Sequence, residues 1–263
     1  MTLTVITPNY NGARFLERCL ESVLAQRASG IPLEYIVVDG GSTDASLEIL
    51  GRHGAGIDHV ISEPDAGPAA ALNKGLRLAR GEIIAWLNAD DFYYPGALAR
   101  VAPAFQRRPG AALGFGRCVI VDEEEREIRR RITRFKECFL PFSSRFMIQC
   151  INYISQPALF FRRAAFERAG PLRADLRAAW DYEFVLRLWR QGGGFRIKGP
   201  PLAAFRWHPG SISGQHFRLQ FQEELDAALA DAGPWAPQSL IHRVVRWGIV
   251  ATYTRLIRRH HAG

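Results

Sequence analysis

The run Gly81-Glu82-Ile83-Ile84-Ala85-Trp86-Leu87-Asn88-Ala89-Asp90-Asp91 ends an apolar stretch in an amide and two adjacent carboxylates. Like charges side by side are costly unless a cation or hydrogen bonds compensate them. An oxygen-rich cluster suits a hard divalent ion that carries a phosphate. Taken alone, the pair fits a turn opening a helix just as well. Three earlier strand-like runs end in the same way. Leu3 to Ile6 enters Thr7-Pro8-Asn9-Tyr10-Asn11-Gly12, Glu34 to Val38 enters Asp39-Gly40-Gly41-Ser42-Thr43-Asp44, and His59 to Ser62 enters Glu63-Pro64-Asp65. Ligands of open parallel α/β sheets bind outside the carboxyl ends of the strands, so these tips describe one cradle. Its shape favours a nucleotide: Thr7-Pro8-Asn9-Tyr10 would wrap a flat heterocycle and Asp39 would accept from a nucleobase N–H. The plainer reading of Asp39 alone is a turn residue before Gly40-Gly41. Neighbouring residues at a strand end point different ways, so one of Asp90 and Asp91 is expected on the metal and the other on ribose or acceptor.

Positioning such tips takes a sheet covered on both faces. From residue 1 to about 121, short β-branched strands alternate with helical stretches, the pattern of an α/β fold with a mostly parallel sheet. Strands are expected at 3–7, 34–39, 58–62, 82–88 and 112–121, with helices at 13–27, 43–52, 66–80 and 95–107. Ser42-Thr43-Asp44 offers N-cap residues and Pro95 suits a first helical turn. Residues 122–150 break the rhythm, with Asp122-Glu123-Glu124-Glu125, then a basic run and an aromatic-rich stretch, and read as a loop or lid with a short helix. A strand near 157–161, helices at 163–169 and 180–190, strands near 195–198 and 202–207, and helices at 215–231 and 238–259 complete the chain. No Pro/Gly/Ser-rich linker divides the halves.

With 263 residues, 48% of them hydrophobic, the chain can bury a substantial core. Its four cysteines are widely spaced and its first residues enter a strand at once, so a cytoplasmic home is expected. The net charge of +8 lies mainly beyond the first hundred residues and suits acidic partners. Nucleic acid is not expected among them, because the first half lacks an aromatic-interleaved basic stripe. No window reaches the roughly 18 apolar residues of a spanning helix. Trp247 to Ile257, flanked by Arg243, Arg246, Arg258 and Arg259, suits peripheral contact with a membrane surface or simple packing on its own domain.

The quoted runs at strands one, two and four, together with Ala71-Leu72-Asn73-Lys74-Gly75, resemble a family-2 glycosyltransferase in order and spacing. The resemblance implies a GT-A fold, a Rossmann-like three-layer α/β/α architecture with a mostly parallel central sheet. It covers residues 1–213, with 1–121 as the nucleotide-sugar half and 122–213 as the acceptor side, before a helical extension at 214–263. It implies an inverting transferase that uses a nucleoside diphosphate sugar, UDP-linked, with Mn²⁺ or Mg²⁺ as cofactor. The acceptor would be a glycan or lipid-linked glycan of the cell envelope, capsule or lipopolysaccharide. Thr7, Pro8, Asn9 and Tyr10 would line the nucleobase pocket, Asp39 would meet a uracil-like edge, and Asp65, Asn73 and Lys74 would lie near nucleotide or diphosphate. Asn88-Ala89-Asp90 takes the family's D-x-D position, with Asp90 on the metal, Asn88 and Asp91 near ribose or acceptor, and a lower metal affinity expected because Asn88 adds no charge.

The base would come from Ala179-Trp180-Asp181-Tyr182-Glu183, where Asp181 matches the family's catalytic acid. At a helix start the dipole favours its ionised form, in reach of an acceptor hydroxyl; an N-cap role is the ordinary alternative, and Glu183 the fallback base. In Phe205-Arg206-Trp207-His208-Pro209-Gly210-Ser211, His208 would complete the metal shell or bind diphosphate and Arg206 would balance its charge. Gln156 would touch the sugar or serve as a strand-end amide. Phe135, Phe139, Phe142, Phe146 and Tyr153 hint at an amphipathic acceptor or at core packing. The rival readings are a nucleotidyltransferase, which lacks its Gly-rich phosphate loop, and a catalytically impaired sugar-nucleotide-binding homologue.

Overall fold

The computed structural model describes residues 1–260, with side chains at all of these except 212, 213 and 252–260. Seven strands form the main sheet: β1 (Leu3–Asn9), β2 (Leu33–Asp39), β3 (His59–Ser62), β4 (Ile83–Trp86), β6 (Leu113–Phe115), β9 (Leu159–Arg162) and β10 (Gly194–Arg196). Their order is β10-β6-β9-β4-β1-β2-β3, parallel throughout except that β9 runs against β4 and β6. Alternation along each strand feeds two cores. Val5, Tyr35, Val37 and Ala85 face the layer holding α1 (Ala13–Leu24), α2 (Ser46–His53) and α4 (Ala97–Gln106). Ile6, Ile36, Val38, Ile84 and Trp86 face α3 (Pro68–Leu78) and α8 (Trp180–Arg190). Trp86, 1% exposed, meets Phe161, Trp180 and Phe184 at 5.6, 5.7 and 5.9 Å. Aromatic pairs of this kind add about 0.5–1.5 kcal/mol each beyond burial. They fix the first turn of α8 beside the end of β4.

The expected strand at 112–121 is two strands in different sheets. After β6 the chain turns at Gly116, where a Cβ would stand 2.3 Å from Leu202 Cδ1, and continues as β7 (Cys118–Val121). With β5 (Phe92–Tyr93), β8 (Glu127–Ile128) and β11 (Ala203–Arg206), β7 forms a second sheet, ordered β5-β11-β7-β8. Because β5 starts directly after Asp91, this sheet places β11 beside the acidic turn.

The 122–150 stretch is more ordered than its composition suggests, holding β8, α5 (Arg130–Phe139) and α6 (Arg145–Cys150). Short α7 (Arg163–Ala169) follows β9, and α9 (Ile212–Gln215) follows β11. Beyond them, α10 (Phe217–Ala232) and α11 (Pro237–His260) contribute Ala228 and Val245 to the core shared by α3 and α8. The outward side of α11 leaves Leu240, Val244 and Trp247 exposed. Among the described residues, no helix is long and apolar enough to cross a membrane.

Candidate active site

The polar ends of β1 and β2 are knotted together. Asn9 Nδ2 donates to Asp39 Oδ1 at 2.8 Å, and Ser42 Oγ donates to the same oxygen at 2.5 Å. Asp39 Oδ2 accepts from Gly41 N, Ser42 N and Ser62 Oγ at 3.1, 3.0 and 2.9 Å. Burial would raise this carboxyl, but hydrogen bonds from Ser42, Asn9 and Ser62 together hold it below its ordinary value. Asp39 has no exposed surface and accepts from five donors, so it ties the ends of β1, β2 and β3 together. Thr7 likewise turns inward, 3.0 Å from the Tyr35 hydroxyl and 3.8 Å from Cys19 Sγ. Pro8 and Asn9 are buried, while Tyr10 stands 67% exposed at the mouth.

Residues that sequence reasoning missed bind the loops to one another. Asn11, at φ 50°, accepts from Thr43 N at 2.8 Å and donates its own N–H to Ser42 Oγ at 2.8 Å. Asp44, expected only as a cap for α2, accepts from both Ala13 N and Ser46 N and so starts two helices. Gly12 permits a close approach in this rim, since a Cβ there would lie 2.3 Å from Asn9 Oδ1 and 3.3 Å from Ala89 Cβ. Asn9 Oδ1 is itself buried without a hydrogen-bond partner.

The loop after β3 carries Asp65, half-buried, whose Oδ1 accepts from Gly67 N at 2.8 Å and whose Oδ2 abuts Gly40. Lys74 of α3 reaches this loop, 2.9 Å from Glu63 and 3.0 Å from the Pro64 carbonyl. Asn73 is drawn elsewhere: its amide both donates to and accepts from the Leu172 backbone, at 2.8 and 2.9 Å.

At the end of β4 the two carboxylates diverge. Asp90 Oδ2 lies 3.1 Å from His208 Nε2, and Phe15 packs against that imidazole in a tilted arrangement, 5.2 Å between ring centres. Asp91, 1% exposed, turns inward and accepts the Arg206 N–H at 2.9 Å. Desolvation and the neighbouring Asp90 charge push Asp91 well above the usual carboxylate range. It therefore braces β11.

Arg206 is 2% exposed, and its guanidinium donates to the carbonyls of Asp90, Asp122 and Glu123 and to Glu125 Oε1. A cation so engaged positions two loops and is not available to balance a diphosphate. Gln156 is used in the same way, donating to Trp86 O at 2.8 Å and accepting from Asn88 Nδ2 at 3.0 Å.

Across from this edge, Asp181 stands in the first turn of α8, next to Trp180, whose ring packs on Trp86. Glu223 of α10 fixes the approach by accepting from the N–H groups of Arg177, Ala178 and Ala179. Asp181 keeps some exposed surface, yet desolvation pushes it up to about 6, with Lys136 pulling the other way. Glu183 differs: both its oxygens lie 2.8 Å from Arg187. Behind Asp181, Glu224 is buried and accepts from Asn152 and Gln220, and desolvation lifts it to about 7.

A divalent ion fits the donor set on the β4 side. Asp90 and His208 would give it two ligands, and diphosphate oxygens and water would complete an oxygen-rich shell. Among the described residues no three His, Cys, Asp or Glu side chains cluster as a self-sufficient metal site.

Comparison with known proteins identifies the family and the fold. Residues 4–170 match the model of glycosyl transferase family 2. An uncharacterized glycosyltransferase of Mycobacterium tuberculosis (strain ATCC 25618 / H37Rv) is 34% identical over 189 residues, 71% of this chain and 68% of that protein. A PGL/p-HBAD biosynthesis glycosyltransferase of Mycobacterium bovis (strain BCG / Pasteur 1173P2) is 29% identical over 191 residues, 70% of this chain and 68% of its own. Among solved structures, S. aureus TarS 1-349 in complex with UDP-GlcNAc superposes with a TM-score of 0.67 at 18% identity, covering 90% of this chain and 68% of that one. Of a longer TarS chain, the match covers 40%. The mannosyltransferase PcManGT from Pyrobaculum calidifontis, in complex with GDP-Man and Mn2+, gives 0.64 at 22% identity over 97% of this chain and 79% of its own. These neighbours share the GT-A fold, and the family match spans all four polar strand ends. The chain is an enzyme that belongs to glycosyl transferase family 2.

Proposed function

We propose that the protein transfers a sugar, with inversion, from a nucleoside diphosphate donor, UDP-linked, to a hydroxyl of a glycan or lipid-linked glycan in cell-envelope assembly. The observation that carries this reading is the contrast within one helical turn. Asp181 has no cationic partner at ion-pair distance among the described residues and is pushed up to about 6, whereas Glu183 is neutralised by Arg187. A base poised near the working pH transfers protons most effectively. Asp181 would take the acceptor's hydroxyl proton as that oxygen bonds to the anomeric carbon, while the bond from that carbon to the diphosphate breaks on the opposite face.

Asp90 and His208 would hold Mn²⁺ or Mg²⁺, which when bound supplies positive charge against the departing diphosphate. Tyr10, Pro8 and Asp65 are assigned to the donor side, with the Asn88 carbonyl oxygen toward the ribose. The UDP assignment draws support from the TarS complex with UDP-GlcNAc, since Asp39 is occupied within the fold. The neighbour with Mn2+ supports a divalent ion.

On the acceptor side, Phe135, Phe142 and Phe146 are 50, 72 and 47% exposed and suit an amphipathic substrate. Free thiols at Cys19, Cys118, Cys138 and Cys150 fit a cytoplasmic site of action, and Trp235 and Trp247 on the outer side of the C-terminal helices fit contact with the inner membrane face. The deciding experiment is Asp181→Asn: transfer should be lost while UDP binding persists, and full turnover would end the assignment of the base.

A further inference from the structure

We propose that the cleft between α4 and β10 is a second anion site, which takes a phosphate-bearing ligand apart from the donor cradle. The cleft encloses about 500 Å³ and is lined by Arg107, Arg108, Arg196 and Lys198 over a floor of Phe195 and Pro103. This volume is within the range of small-molecule pockets, and no acidic side chain lines it. β10 is the far edge of the sheet, with β6 and β9 between it and β4, so the site is not an extension of the Asp90 edge.

The ordinary explanation for arginines at a helix C-terminus is the helix dipole. Here that role is filled by Arg162, whose guanidinium donates to the carbonyls of Phe105, Arg108 and Ala111 at 2.8, 3.2 and 3.0 Å. Arg100 is also occupied, donating to Pro200 O and Lys198 O at 2.8 and 2.7 Å. It thereby holds the chain after β10 against α4, around Gly199 at φ +117°, where a Cβ would stand 2.7 Å from the Arg100 guanidinium. Arg100 builds the wall, and Arg107, Arg108 and Lys198 are left around a common space, with Arg196 lending its backbone to the rim. Several like charges around one concave surface, with no acid among them, make a positive field that attracts an anion. Arginine forks match phosphate in bidentate geometry, and Phe195, held edge-on by Phe105 at 5.0 Å, gives an attached sugar or apolar group a surface.

The test uses the whole chain in EDTA at low ionic strength, which suppresses metal-assisted binding at the donor cradle. Calorimetric titration with inorganic pyrophosphate and co-sedimentation with phosphatidylglycerol-containing phosphatidylcholine vesicles separate a free phosphate compound from a lipid headgroup. Binding of either probe by the wild type, weakened at least tenfold by Arg107→Glu with Arg108→Glu and unchanged by Asp90→Asn, establishes the site. Both arginines are exposed, so the fold should survive; Lys198→Glu serves as a second variant if it does not. The proposal is overturned if neither probe binds, if the charge reversals leave binding as it was, or if Asp90→Asn removes it equally.

Discussion

Asp181 and Glu183 share the first turn of α8 and are acids of opposite character, one desolvated and without an ion-pair partner among the described residues, the other locked to Arg187. A base must be ionised to act, so kcat/KM should rise with pH up to a plateau above about 6 and fall about tenfold per unit below it. Asp181→Asn should lower kcat by about 10²–10⁴-fold with the UDP affinity kept, read by steady-state kinetics beside equilibrium binding. Glu183→Gln should keep the same pH profile and lose about 1 kcal/mol of stability, the upper end for an i,i+4 ion pair that is only partly buried. A shifted profile in that variant would move the base to Glu183. Residue types at the strand ends were legible in the sequence, and so was the divergence of Asp90 from Asp91. What Asp39, Thr7, Gln156 and Arg206 touch was not, because their partners come from distant segments: Arg206 meets Asp122 to Glu125 more than eighty positions away.

Elements carry the site only if their ends are braced, and Arg206 is the brace between the Asp90 turn, β11 and the loop before β8. Arg206→Met should cost roughly 3–5 kcal/mol, measured by urea unfolding, because it strips a buried cation from Glu125 and several carbonyls. An intact enzyme with unchanged stability would contradict that role. Glu224 links α10 to the segment before β9 and gives a second element-scale expectation. Its folded value, about 7, lies above the ordinary 4.5, so the folded state binds the proton more tightly. Its contribution is therefore full below 4.5 and is lost as pH rises through about 7. Glu224→Gln, which keeps the acceptor oxygen for Asn152 and Gln220, should raise stability at pH 8 by roughly 3 kcal/mol at most and leave it near wild type at pH 4. Thermal melts across pH decide this, and an equal effect at both pH values would refute it. The alternating α/β plan could be read from strand and helix periods, whereas the break between β6 and β7 could not. Apolar residues continue on both sides of Gly116, and only the close approach of Leu202 separates the two sheets.

At the scale of the molecule, one parallel sheet brings tips from four strands together with a helix start from the second half, and the native state alone creates that meeting. A ligand held there must stabilise the whole fold, because the unfolded chain has no such cradle. At a hundred times its Kd, one ligand adds about 2.7 kcal/mol, which for a domain of this size corresponds to a rise of roughly 5–10 °C in Tm. UDP with Mn²⁺ should produce the largest shift among UDP, GDP and thymidine diphosphate. Asp90→Asn should remove the gain due to Mn²⁺ and leave the smaller shift by UDP alone, since it takes away a metal ligand and not the nucleoside contacts. A larger shift with GDP would replace the UDP assignment. If no nucleoside diphosphate moves Tm while the chain is folded, the strand ends do not form a donor site, and the polar network around Asp39 serves the fold alone.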